Sequence, residues 1–185
     1  MNTREKILNN AAEIFALAGY EGLSMRTLAK QAGITQSVLY HYFDSKDSLL
    51  EELFKFLNHN LGIKRKALRK LNSATLMLKQ RIEFQLDNAK EIVAVLKYFI
   101  HNRTSFSKTG DGFIPDKASH HMEEVLELGK KNAEFRIYNL KQQAKVMTHA
   151  VNGYVLEYFP YQLKDQEKNQ LVKSIHKFLL CALKK

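Results

Sequence analysis

Residues 24–46, SMRTLAKQAGITQSVLYHYFDSK, permit few folds. Ser24 suits the N-cap of a short helix running through Leu28 and Ala32. Gly33 can take the left-handed conformation that ends this helix, and Ile34 can drop into the core behind the turn. Thr35 then caps a second helix of barely two turns. Two helices joined this way form a helix-turn-helix, the smallest unit that sets a helix end in a DNA major groove. Taken alone, the same residues also fit an ordinary helical hairpin with a half-buried Tyr-His-Tyr cluster.

The second helix sorts its residues by face. Leu39 and Phe43, four apart, point inward toward Ile34 and Leu28, while Ser37 and His41 point outward with Gln36 and Tyr40 beside them. Gln36 suits bidentate pairing with adenine, and Ser37 can bond several base edges. Tyr40, His41 and Tyr42 can donate to phosphates, which positions a protein without reading sequence. Asp44 or Ser45 caps a third helix whose first turn holds Lys46, where the helix dipole disfavours a cation. Asp47 partly offsets it, so the group is either a neutral capping cluster or a phosphate site built from helix amides and the Lys46 ammonium.

Gly33-Ile34-Thr35, Leu39-Tyr40, Phe43 and Ser45-Lys46 followed by Leu49-Leu50 resemble the DNA-binding signature of the TetR family of bacterial transcriptional repressors. Upstream, Ile7, Ala11-Ala12, Phe15, Gly19-Tyr20, Leu23-Ser24, Arg26-Thr27 and Leu28-Ala29 fit its opening pattern, so the resemblance covers roughly residues 3 to 54. It implies an all-α homodimer with a three-helix DNA-binding domain, residues 1–46, and a helical ligand-binding and dimerisation domain, residues 47–185. It places Arg26 and Thr27 near the DNA backbone, with Thr35 in the same contact set. Gln36, Ser37, Tyr40 and His41 fall on bases and phosphates, Tyr42 and Lys46 on phosphates. The implied partners are double-stranded DNA with a palindromic operator, a second copy of the chain and a small-molecule effector of unknown identity.

A chain of 185 residues buries well over half its unfolded surface and folds without a staple or metal. The single Cys181, in an apolar C-terminal helix, is expected to be buried filler. A charged N-terminus with no leader, and no apolar run near the length of a membrane span, fit a cytoplasmic protein with no membrane partner. The formal net charge of +10 suits a polyanion partner. Yet residues 1–50 balance five bases against five acids, and the excess gathers at Lys64, Arg65, Lys66, Arg69 and Lys70. That run is a solvated helix face, a steering charge or an attractor of an anionic ligand.

Only Pro115 and Pro160 interrupt the remainder, and nothing alternates as a strand does. The third helix is expected from Lys46 to about Leu71, with a possible break at Gly62. Ser73 caps a segment to His101 that divides near Asp87-Asn88, and a polar loop follows over 104–113. Pro115 opens a helix to about Lys131. Residues 127–136 again resemble the family, with Ala133 where its turn usually has glycine. Two final helices, about 139–159 and 165–184, carry apolar stripes that fit either an internal core or the four-helix bundle the resemblance implies. The expected interface is Met147, Val151, Tyr154, Tyr158, Leu171, Ile175, Phe178, Leu179 and Ala182. Phe84, Tyr98, Phe99, His101, His121, Met122 and Tyr154 are the candidate ligand-pocket residues, suited to an apolar or aromatic effector. The neighbouring His120 and His121 point about 100° apart, and no HExxH or CxxC spacing occurs, so neither a metal, a cofactor nor a catalytic group is expected.

Overall fold

The structure is a computed structural model describing residues 2–68, 70–102, 115–161 and 163–184, with backbone alone for 115–118. All regular structure among the described residues is helical: α1 Thr3–Gly22, α2 Met25–Ala32, α3 Gln36–Tyr42, α4 Lys46–Lys66, α5 Ala74–Asp87, α6 Ala89–His101, α7 Pro115–Lys131, α8 Leu140–Tyr158 and α9 Asp165–Leu183. A 3-10 turn, Phe159–Tyr161, follows α8 at Pro160. The loop expected over 104–113, with Phe106 and Phe113, and Arg69 of the basic run lie outside the described residues.

Two compact units form, Met1–Ala67 with Lys90–Arg103, and Leu68–Ala89 with Thr104–Lys185. In the first, Ile7, Ala11 and Phe15 of α1 close over Leu28 of α2, Leu39 of α3 and Leu49 and Leu53 of α4, all essentially buried. Burying large aliphatic and aromatic side chains stabilises such a unit by about 1.5 to 3 kcal/mol each. Asn2 and Glu5 cap α1 reciprocally, Asn2 Oδ1 accepting from the Glu5 amide at 2.8 Å. Helical geometry inside α1 breaks at Gly19, whose φ of 68° and ψ of −161° glycine adopts without strain. Packing of α4 on α1 keeps the whole of α4 within this unit.

In the second unit α7, α8 and α9 each pack on α5, and α7 also packs on α8. Leu78 and Ile82 of α5, Val125 and Leu126 of α7, Val151 and Val155 of α8 and Ile175 and Leu179 of α9 supply the buried faces. The turn after α7 depends on close approach. A Cβ on Gly129 would fall 2.0 Å from the Phe135 ring, while the Glu134 and Phe135 amides both donate to the Gly129 carbonyl. Ala133 accordingly sits at a φ of 57°, the left-handed region, at a cost of about 1 to 2 kcal/mol.

Two expectations need correction. The third helix runs unbroken through Gly62 and stops at Lys66, with buried Leu57 and Leu61 holding its packed face up to the glycine. Cys181 is exposed, since Leu179 and Leu183 take the inward positions of α9. Of the expected pairing stripe, Met147, Val151, Ile175 and Leu179 are buried in the chain's own core. The most apolar face of an amphipathic helix is buried first, so the stripe strong enough to be read from sequence is the internal one.

Candidate nucleic-acid interface

Local hydrogen bonds build the reading head. Ser24 Oγ accepts from the Thr27 amide at 3.0 Å, which starts α2. Gly33, at φ 68° and ψ 35°, ends it, and the Ile34 amide returns to the Ala29 carbonyl at 3.0 Å. Thr35 Oγ1 then accepts from the Val38 amide at 3.3 Å and starts α3. Ser45, not Asp44, caps α4 by accepting from the Ser48 amide at 3.1 Å.

These caps leave one face of α3 to solvent. Leu39 and Phe43 are buried, whereas Thr35, Gln36, Ser37, Tyr40, His41 and Tyr42 are exposed. Arg26 and Thr27 are exposed at the start of α2. Arg4 pairs with Glu52 and lies over the Phe43 ring, which anchors α1 and α4 to the C-terminal end of α3. Val38 is also exposed, a position that sequence reasoning passed over. Its signal was available: one residue before an inward leucine on a helix lies about 100° off the core face. An exposed methyl-bearing side chain beside Gln36 and Ser37 suits contact with a thymine methyl group.

Lys46 is partly covered, its ammonium 3.7 Å from the centre of the Tyr20 ring. The Tyr20 hydroxyl donates to Asp47 at 2.9 Å, and that bond, more than any other influence, raises the phenol's pKa. His101 of α6 stacks on the same Tyr20 ring, with ring centres 3.9 Å apart. Nearby, Lys97 of α6 donates to the Ala16 and Leu17 carbonyls at 2.6 and 3.0 Å. Those carbonyls lie in the last turn before the break at Gly19, where the helix dipole makes a cation a favourable partner. Tyr20, Lys97 and His101 thus brace the head, and their separation of some eighty residues hid them from sequence patterns.

The candidate pocket residues divide between the two units. In the first, Tyr98 stacks on Phe54 at 4.5 Å, Phe99 meets the same ring edge-on at 5.0 Å, and His101 packs on Tyr20. In the second, Phe84 and Met122 are buried, His121 Nδ1 lies 3.6 Å from Glu124, and Tyr154 stacks on Tyr158 at 6.4 Å. Of the expected interface residues, Phe178 is 62 % exposed and Ala182 is exposed, while Tyr154, Tyr158 and Leu171 are half-buried. Val146 and Leu156 of α8, with Cys181 of α9, add apolar exposure that the stronger internal stripe masked. Among the described residues no helix is long and apolar enough to cross a membrane, and no three His, Cys, Asp or Glu side chains gather as metal ligands.

A family model described as "Bacterial regulatory proteins, tetR family" matches residues 7–53, the three helices and the first turns of α4. The biofilm operon icaADBC HTH-type negative transcriptional regulator IcaR of Staphylococcus aureus (strain Newman) is 37 % identical over 60 residues, 30 % of this chain and 32 % of that protein. The HTH-type transcriptional repressor KstR2 of Rhodococcus jostii is 40 % identical over 60 residues, 32 % of this chain and 29 % of its own length. The match therefore spans about a third of these curated relatives. The solved structure of the fatty acid degradation regulator FadR from Bacillus halodurans aligns with a TM-score of 0.75 at 19 % identity, covering 97 % of this chain and 95 % of that one. Ketosteroid transcriptional regulator KstR2 of Mycobacterium tuberculosis aligns with a TM-score of 0.69 at 17 % identity, covering 100 % and 96 %. These two likenesses establish the shared fold.

Proposed function

We propose that this chain, which belongs to the TetR family of bacterial regulatory proteins, is a cytoplasmic homodimeric repressor that a small-molecule effector releases from a palindromic operator. The observation that carries the reading is the outer face of α3, where Gln36, Ser37, Val38, Tyr40 and His41 are exposed above a fully buried Leu39. Gln36, Ser37 and Val38 read base edges; Arg26, Thr27, Thr35, Tyr40, His41, Tyr42 and Lys46 position the head on phosphates and sugars. The repressor sense is supported by the names of the curated relatives IcaR and KstR2.

One short helix contacts too few bases to select a site in a genome, so two heads on a two-fold axis are needed. The exposed residues Val146, Gly153 and Leu156 of α8, with Phe178, Cys181 and Ala182 of α9, are the surface proposed for that pairing. An effector then acts by preferring a conformer with wrongly spaced heads, within the limit of its differential affinity. Competition against random duplex, followed by fluorescence anisotropy, tests the reading. A genomic fragment selected by the purified chain should outcompete random DNA at least about tenfold at physiological salt. Lys46→Ala should weaken binding on all sequences and flatten its salt dependence by about one unit of slope. Equal competition by random DNA refutes the repressor reading.

A further inference from the structure

The second unit buries a guanidinium that the described side chains satisfy only in part. Arg81 of α5 has a side chain 12 % exposed, and its Nη2 donates to Glu124 of α7 at 3.1 Å. Its Nε and Nη1 are buried and have no hydrogen-bond partner among the described residues. Burial pulls the guanidinium's pKa down, and Glu124 only partly opposes it. Glu124 is 56 % exposed, so water screens much of the charge it offers. Its other neighbour is His121, with Nδ1 at 3.6 Å. Leu78 and Ile82 flank Arg81 on α5 as buried apolar residues, and Met122 and Val125 do the same beside His121 and Glu124 on α7.

A structural role does not account for this arrangement. An arginine kept for the fold has its fork filled, because a buried donor without an acceptor is destabilising and a charged one more so. A methionine of similar volume would pack among Leu78 and Ile82 without that penalty. The Nε and Nη1 hydrogens instead have no acceptor among the described residues. We propose that Arg81 anchors the anionic group of the effector, and that this effector is an apolar carboxylic acid bound as its carboxylate. A monoanion fits better than a phosphate dianion, because Glu124 already holds one edge of the guanidinium and would repel the second charge. The apolar neighbours require that the rest of the molecule be hydrocarbon or aromatic. The proposal rests on the effector-released reading and identifies the chemistry of that effector.

Thermal denaturation of the full chain tests it, with wild type and Arg81→Met compared in chloride, in acetate and in chloride with octanoate or octanamide, all at matched ionic strength. In chloride the Arg81→Met variant should melt higher than wild type. Octanoate well above its dissociation constant should raise the wild-type Tm by about 3 °C or more, and leave Arg81→Met unmoved; octanamide should act on neither. A variant that melts no higher than wild type in chloride, or carboxylates that shift both proteins alike or neither, overturns the proposal. Should Arg81→Met fail to fold, the Nε–H resonance of Arg81 in the 15N-labelled wild-type chain, identified through Arg81→Lys, serves instead. It should move on adding octanoate and stay put with octanamide; an unmoved signal overturns the site. DNA binding by the ligand-free chain is measured separately. Loss of duplex preference there would refute the repressor reading and leave the carboxylate site intact, whereas failure of the carboxylate tests leaves the DNA reading untouched.

Discussion

At the scale of single residues, neighbours one position apart on α3 do opposite work. Leu39 is wholly buried and fixes the helix on the core, while Val38 and Tyr40 on either side face solvent. The proposed base selection therefore hangs on side chains whose removal leaves the fold alone. Gln36→Ala should preserve the melting temperature and relax preference at one or two base positions, by about 1 to 3 kcal/mol if a bidentate pair is lost. Binding to a library of single-base operator variants reads this out, and an unaltered preference profile removes Gln36 from the readers. These residues were legible in the sequence because capping chemistry and helical spacing are local: Ser24, Gly33 and Thr35 stand where the helix ends are found. Lys97 and Tyr20 were not legible, because no local rule links a lysine to carbonyls some eighty residues earlier.

At the scale of elements, two side chains tie helices together by capping ends they do not belong to. Lys97 of α6 donates to the carbonyls of Ala16 and Leu17, in the turn of α1 that precedes the Gly19 break. Lys97→Met keeps the aliphatic stem and removes the charge, and should destabilise the chain by about 1 to 2 kcal/mol. A parallel loss of operator affinity is expected, since α1 supports the head; chemical denaturation and anisotropy on the same protein measure both. Glu134 does the reverse at the start of α5, accepting from the Ala74 and Thr75 amides at 2.9 Å each and from Ser73 Oγ at 3.1 Å. Burial works against its charge, but the Thr75 and Ala74 amides and Asn132 outweigh that and bring the pKa from 4.5 to about 2. A carboxylate with a depressed folded pKa contributes stability fully above its unfolded value and loses it as pH falls toward the folded one. The stability advantage of wild type over Glu134→Gln should therefore be full above pH 4.5 and shrink steadily toward pH 2. An advantage that does not vary over that range would show that the charge on Glu134 is irrelevant to the α5 cap. The family resemblance over residues 127–136 flagged this turn, yet only three-dimensional structure shows Ala133 accepting a left-handed backbone to deliver Glu134 to α5.

At the scale of the whole molecule, the all-helical class was plain from sparse proline and absent strand alternation, whereas the expected pairing set of α8 and α9 mixes buried with exposed residues. Hydrophobic strength marks the face that a chain buries for itself, so Met147, Val151, Ile175 and Leu179 went to the internal core. The weaker outward set around Phe178, 62 % exposed, remains for pairing. Phe178→Glu should leave the monomer folded, halve the mass seen by light scattering and reduce operator affinity steeply; an unchanged dimer would move the interface elsewhere. Two heads held on one axis must read DNA as an inverted repeat, which a single head or a nonspecific basic surface does not. Repeated selection of duplexes from a random pool by the purified full-length chain measures this directly. The expected result is a two-fold palindrome whose half-site centres lie one or more helical turns apart; recovered sequences with no shared motif, or with an unrepeated one, would contradict it.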